Sequence, residues 1–233
     1  MPATASLAHG SIAQTLSALL RDNILNGAFT AGQHLREAEL ACLFGTSRTP
    51  VRHALAANEK DGLLDYTAHR GFVVRAFDVM DMDQAYEMRA LIEGYAARTA
   101  AERGLRADRH QKAAAAIESV DDLLQQDAPL DDAAREAWRS RNIEFHQAIV
   151  AQCENRFIGP MLTSVQQIPS VFPPVLTTYE ASALRIYNDQ HRAILASILR
   201  REGTRAEFLM RDHVTLSGEA IRATVGTTNI DAG

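Results

Sequence analysis

Three histidines stand where a metal could be held. His146 lies between Phe145 and Ile149 in a stretch that also carries Ile143 and Val150. His191 aligns with Ile194, Leu195 and Ile198, and His213 with Leu209, Met210, Leu216 and Ala220. Each falls on or beside the apolar stripe of a different helix. A buried imidazole needs a polar partner. A shared divalent ion satisfies all three at once, and imidazole suits zinc, nickel and iron. Asn142 is one helical turn before His146 and can point the same way. Spacing alone leaves a second reading open, a hydrogen-bonded trio around water. His110 has no such company and reads as surface.

Arg89 offers a different chemistry. Met82, Tyr86, Arg89, Glu93 and Ala96 share one helix face. Arg89 can pair internally with Glu93 at i+4. It can also clamp a carboxylate effector by bidentate hydrogen bonding, with Tyr86 and Glu93 beside it.

A third group is basic and N-terminal. Leu40, Val51 and Leu55 can form the small core between two crossing helices, with Ala41 at their approach and Gly45 at the turn. The second of these helices then carries Arg48, Thr49 and Arg52 near its start, with Ser47 or Thr49 as cap. That is where a recognition helix meets base edges and phosphates, and a guanidinium fork suits both. His69, Arg70 and Gly71 form the tip of a following hairpin, a wing. An ordinary helical domain with a solvated arginine face is the plain alternative.

The elements that must position these groups follow from pattern. Three helices come first, the first capped by Ser11, the second over 35–44, the third closed by Gly62. Strands follow near 63–66 and 72–75. From residue 79 only helices are expected, near 81–103, 106–126, 131–152, 157–166, 179–201 and 204–224. Gly104 and Gly203 are expected as helix C-caps. The segment 168–174, Ile-Pro-Ser-Val-Phe-Pro-Pro, is expected to break the chain. Trp138 and Arg139 read as interface or solvent positions. The fold class is therefore mainly α: a winged helix-turn-helix over 1–77, then an antiparallel all-α helical bundle over 78–233.

Composition is compatible. The chain has 233 residues, 46% hydrophobic and 23% charged, which excludes disorder and fibrous repeats. Residues 1–77 hold seven Lys/Arg and six Asp/Glu, a net of +1; the rest hold seventeen and twenty-three, a net of −6. Overall acidity therefore does not exclude DNA, which needs only a local basic surface. Two cysteines, Cys42 and Cys153, form no disulfide framework or CxxC pair. No signal peptide or membrane span is evident, so a cytoplasmic protein with no membrane partner is expected. There is no GxSxG, P-loop or GxGxxG.

The residues also carry a resemblance. Thr46-Ser47-Arg48-Thr49-Pro50-Val51-Arg52, then Ala54-Leu55, Asp61-Gly62-Leu63-Leu64 and Arg70-Gly71-Phe72-Val73-Val74, resemble the winged helix of GntR-type bacterial transcription regulators. His53 departs from the usual Glu, and Asn58-Glu59 from a commonly apolar position. Asn142-Ile143-Glu144-Phe145-His146, Asp189-Gln190-His191-Arg192-Ala193-Ile194-Leu195 and Ala206 to Val214 resemble the FCD effector domain of the FadR-type subgroup. The resemblance implies a divalent metal on Asn142, His146, His191 and His213. Asn142 replaces the usual aspartate, which weakens the set for a hard ion. It further implies a small organic acid near Arg89, a homodimer on a pseudo-palindromic double-stranded operator, and repression relieved by the acid. The competing class is a helical metal-dependent enzyme with a DNA-binding appendage, for which no general base is apparent. A purely structural bundle is the third reading.

Overall fold

A computed structural model describes residues 12–25, 27–68, 70–125, 131–170 and 181–228. The chain forms two compact units: the first takes in residues 1–81 and a short stretch from Gln166, the second the remainder.

The first unit begins with α1 (Ile12–Leu25), β1 (His34–Leu35), α2 (Glu37–Leu43) and α3 (Arg48–Lys60), and ends in β2 (Leu64–Thr67) and β3 (Gly71–Val74). The expected cap Ser11 lies outside the described residues. Leu16, Leu20 and Ile24 on α1 pack with Leu40, Val51 and Leu55 in one buried cluster, which Leu35, Leu64, Phe72 and Val74 complete. Each such aliphatic side chain contributes roughly 1.5–3 kcal/mol by leaving water. β1 departs from the expected helix over 35–44. His34 is exposed and Leu35 buried, and they pair antiparallel with Val73 and Phe72. The sheet order is β1-β3-β2, and Thr67 pairs with Gly71 across the hairpin. Gly71 has φ of 81°, a conformation that strains any residue with a Cβ.

The second unit is helical throughout its described residues: α4 (Val79–Arg103), α5 (Ala107–Leu124), α6 (Asp132–Gln152), α7 (Ile158–Ser170), α8 (Ala181–Leu199) and α9 (Gly203–Thr228). Asp131 caps α6 by accepting from the Ala134 amide at 2.7 Å. Gly104 ends α4 with φ of 88°, as expected. Gly203 does not cap α8. Arg201 takes the left-handed conformation there, with φ of 64°, and Gly203 opens α9. The Arg201 guanidinium donates to the Ala101 carbonyl at 3.2 Å, one of the unpaired carbonyls at the end of α4. The expected break at 168 is also corrected: α7 runs to Ser170 with Pro169 in its final turn, and 171–174 lie outside the described residues. Trp138 is neither interface nor solvent-facing within this chain. It is buried in a cluster with Val120, Leu124, Leu184 and Tyr187. No described helix is long and apolar enough to cross a membrane.

Candidate functional site

The bundle brings the three histidines together. His146 on α6, His191 on α8 and His213 on α9 are all buried, and one ligand atom from each lies within 4.8 Å of the others. Their positions follow from the helix period, since each replaces one residue of an apolar stripe. Phe145 stacks on His191 with centroids 4.1 Å apart, and the Tyr187 ring meets His213 edge-on at 5.8 Å.

Hydrogen bonds around the trio set its tautomers. His146 Nδ1 faces Glu93 Oε2 at 2.5 Å. An ionised carboxylate only accepts, so Nδ1 is the donor in this bond. His213 Nδ1 faces Gln190 Oε1 at 2.7 Å, an acceptor again, which frees His213 Nε2. That atom is 3.1 Å from His191 Nε2. Tetrahedral zinc with Zn–N near 2.0–2.1 Å separates its ligand nitrogens by about 3.3 Å. Burial, reinforced by the neighbouring imidazoles, pushes His191 well below its ordinary pKa. Burial and then His146 push His213 down to about 3. Both rings are neutral at pH 7, the form that ligates a metal. The donor set therefore fits a divalent ion of the zinc or nickel type. Asn142 lies one turn before His146 on α6 and is partly buried.

Glu93 connects this centre to Arg89. Its side chain has no exposed surface, and Oε1 accepts from Arg89 Nε at 3.0 Å. Burial pushes the Glu93 carboxyl up, but Arg89 and His146 outweigh it and hold it at about 2. The Arg89 guanidinium lies 4.8 Å from the Tyr86 ring centroid. Tyr86 in turn packs on Gly218, where an added Cβ would stand 2.7 Å from the ring. Tyr86, Arg89, Glu93 and His146 thus form one continuous line. The internal Arg89–Glu93 pair foreseen as the plain alternative is present. Sequence reasoning placed Glu93 beside an effector; here both its oxygens are engaged, by Arg89 and His146. It missed Gln190, which precedes His191 yet serves His213. Neighbours in a helix diverge by about 100°, so adjacency to one histidine gave no signal for the other.

The first unit presents the expected basic face. Arg48, Thr49 and Arg52 are exposed near the start of α3, and Arg70 is exposed on the hairpin. His69 lies outside the described residues. Ser47 stands at the N-cap of α3 with extended dihedrals, but its hydroxyl makes no capping hydrogen bond. Arg52 is bound by Glu37 from α2 through two parallel bonds of 2.7 and 2.8 Å. Fifteen residues separate them, beyond the reach of any local pattern.

Comparison with known proteins agrees with this geometry. The FCD domain matches residues 84–216, and the family described as bacterial regulatory proteins, gntR family, matches residues 12–74. The Nta operon transcriptional regulator of Aminobacter aminovorans is 31% identical over 139 residues, 60% of this chain and 62% of the relative. The probable D-xylose utilization operon transcriptional repressor of Paenarthrobacter nicotinovorans is 30% identical over 145 residues, 60% of this chain and 61% of the relative. The chain spans about three fifths of the length of these curated relatives. In fold it is similar to Escherichia coli McbR/YncC, with a TM-score of 0.71 at 17% identity, over 93% of this chain and 99% of the other. The chain belongs to the GntR family of bacterial regulatory proteins, with an FCD domain over residues 84–216.

Proposed function

We propose that this chain is a DNA-binding transcription regulator whose affinity for its operator is set by a small carboxylate bound beside a divalent metal. The observation that carries the reading is the set of three buried imidazoles, two with Nδ1 given to Glu93 and Gln190, in a chain that begins with a winged helix. His146, His191 and His213 hold the ion, and Asn142 adds a neutral oxygen. The metal supplies positive charge that draws a carboxylate toward it. Arg89 and Tyr86 lie in line with it and offer the second contact. Glu93 holds Arg89 and His146 in place rather than touching the acid, since its own charge repels one.

DNA is met by Ser47, Arg48, Thr49 and Arg52, with His69, Arg70 and Gly71 as the wing. The DNA-binding domain takes in 1–77 and the effector domain 78–233, a boundary four residues before the one between the compact units. One winged helix makes too few contacts for tight specific binding, so two copies act on a pseudo-palindrome. The acid releases DNA by favouring one arrangement of the copies over another.

The test selects a duplex from a random pool with the purified chain. Its affinity is then titrated with zinc, nickel, or chelator, each with and without citrate, malate or benzoate. An acid should weaken DNA binding only when metal is present. Zinc or nickel should also raise the melting temperature, by about 2.7 kcal/mol of stabilisation at a hundredfold excess over Kd. If no metal shifts the melting temperature and no acid moves DNA affinity, the histidines are core residues and the reading is wrong.

A further inference from the structure

Glu37 is the unexpected group on the DNA face. It is an acid on α2 that reaches across to the α3 helix. Its Oε1 accepts from Arg52 Nε at 2.7 Å and its Oε2 from Arg52 Nη2 at 2.8 Å. The Arg52 side chain is 68% exposed, against 25% for Glu37. The carboxylate is thus the covered partner and the guanidinium the presented one. The hydrogen bond from Arg52 holds the Glu37 carboxyl below its usual range, outweighing its partial burial, and the charge of Arg48 adds to this. Glu37 therefore stays anionic between two arginines of the recognition helix.

We infer that Glu37 is a specificity-determining positioning residue: it fixes the Arg52 fork and cancels its charge, so that Arg52 reads bases rather than adding general phosphate attraction. The inference rests on the DNA-binding reading above. Two physical effects support it. A free arginine surrenders rotamer entropy when it docks, and a fork already held surrenders less. A carboxylate facing a polyanion also opposes every phosphate contact, whatever the sequence. That cost falls on wrong and right sites alike, and only a correct bidentate base contact offsets it. Arg52 keeps guanidinium N–H groups on the edges turned from Glu37, because the two bonds use only its Nε and Nη2 side. The plain alternative is that Glu37 serves only the α2 helix, whose first turn it occupies with Glu39.

The experiment compares the duplex selected by the wild-type chain with a shuffled duplex of the same composition, across a series of potassium chloride concentrations. For Glu37→Gln, the shuffled duplex should bind more tightly, with a salt slope steeper by about 0.9. The ratio of the two affinities should fall about tenfold, the lower part of what a bidentate contact contributes. In an Arg52→Gln background, Glu37→Gln should leave that ratio unmoved. Glu37→Asp keeps the charge but shortens the reach, so its ratio should fall while its slope stays. A Glu37→Gln chain with wild-type ratio and slope would overturn the inference. So would an equal loss on both duplexes with a lower melting temperature, which marks a structural role. Should Glu37→Gln fail to fold, Glu37→Asp decides alone, and an unchanged ratio there sinks the idea. If the wild-type chain enriches no duplex, the inference falls together with the DNA-binding reading.

Discussion

In the first unit, the residues offered to a partner and the residues that hold the fold are separate sets. Arg48, Arg52 and Arg70 are exposed, while the cluster beneath them, from Leu16 to Val74, is apolar. In the second unit the candidate ligands lie inside the core. His146, His191, His213 and Glu93 are buried polar groups, in the position that leucines occupy in the first. The difference fits the partner proposed for each unit. A duplex is larger than the domain and is met on a surface, by charge and by a wing. An ion and a small acid are met in a shielded space, where neighbours fix tautomers and charges interact strongly. Changes to the chemistry of the first unit should therefore spare its stability, and changes to the chemistry of the second should not.

The largest effect is expected at Glu93. In Glu93→Gln, His146 keeps an acceptor, but Arg89 is left charged and largely covered, with a neutral amide in place of its partner. Breaking a buried ion pair from one side costs about 3–5 kcal/mol. Chemical denaturation of the full chain should show that loss in the second unit alone. Adding Arg89→Met should restore most of it, because the stranded charge is gone. A Glu93→Gln chain as stable as wild type would erase the contrast between the units.

An intermediate effect is expected on the other side. Arg48→Ala should weaken binding to the selected duplex by about 1–3 kcal/mol if the arginine reads a base. Folding stability should change by no more than about 0.5 kcal/mol, as for most exposed substitutions. A titration paired with a denaturation curve measures both. Loss of stability comparable with the loss of affinity would show that this face is part of the fold after all.

The same division decides how much could be read from sequence. The three-histidine cluster was legible because each histidine interrupts an apolar stripe of helical period, a local signal. The helix-turn-helix was legible because Gly45, Pro50 and the Leu40, Val51 and Leu55 spacing are local too. What was missed depends on pairs distant in the chain. Leu35 and Phe72 pair across 37 residues to make β1 a strand, and two residues are too short to show a period. The Glu93–His146 bond spans 53 positions and Gln190–His213 spans 23. Arg201 displaced Gly203 as the helix terminus because its guanidinium gains the α4 carbonyls, a tertiary contact that outweighs glycine's local preference.

The smallest effect is expected at Asn58, and it sharpens the comparison most. Asn58 is, with Asn23, a buried polar exception among the described residues of the first unit, and it has no exposed surface where an apolar residue was the ordinary expectation. Its Nδ2 donates to the Ser17 carbonyl at 3.1 Å, the Ser17 hydroxyl at 3.1 Å and the Ala54 carbonyl at 2.9 Å. Its Oδ1 has no partner among the described residues. Unlike Glu93, it carries no charge and strands none when removed. The two carbonyls sit within helices, and Ser17 is only partly buried, so its hydroxyl can turn to water. Asn58→Leu removes one unsatisfied acceptor and adds apolar contact between α1 and α3. Deleting a buried polar group whose partners have alternatives is close to neutral. The melting temperature of the first unit should therefore stay the same or rise, with stability changing by no more than about 1 kcal/mol. A loss of 3 kcal/mol or more, the order expected at Glu93, would mean that Asn58 organises its unit as the buried acid organises the other. The two units would then differ in ligand size alone and not in where each keeps its polar groups.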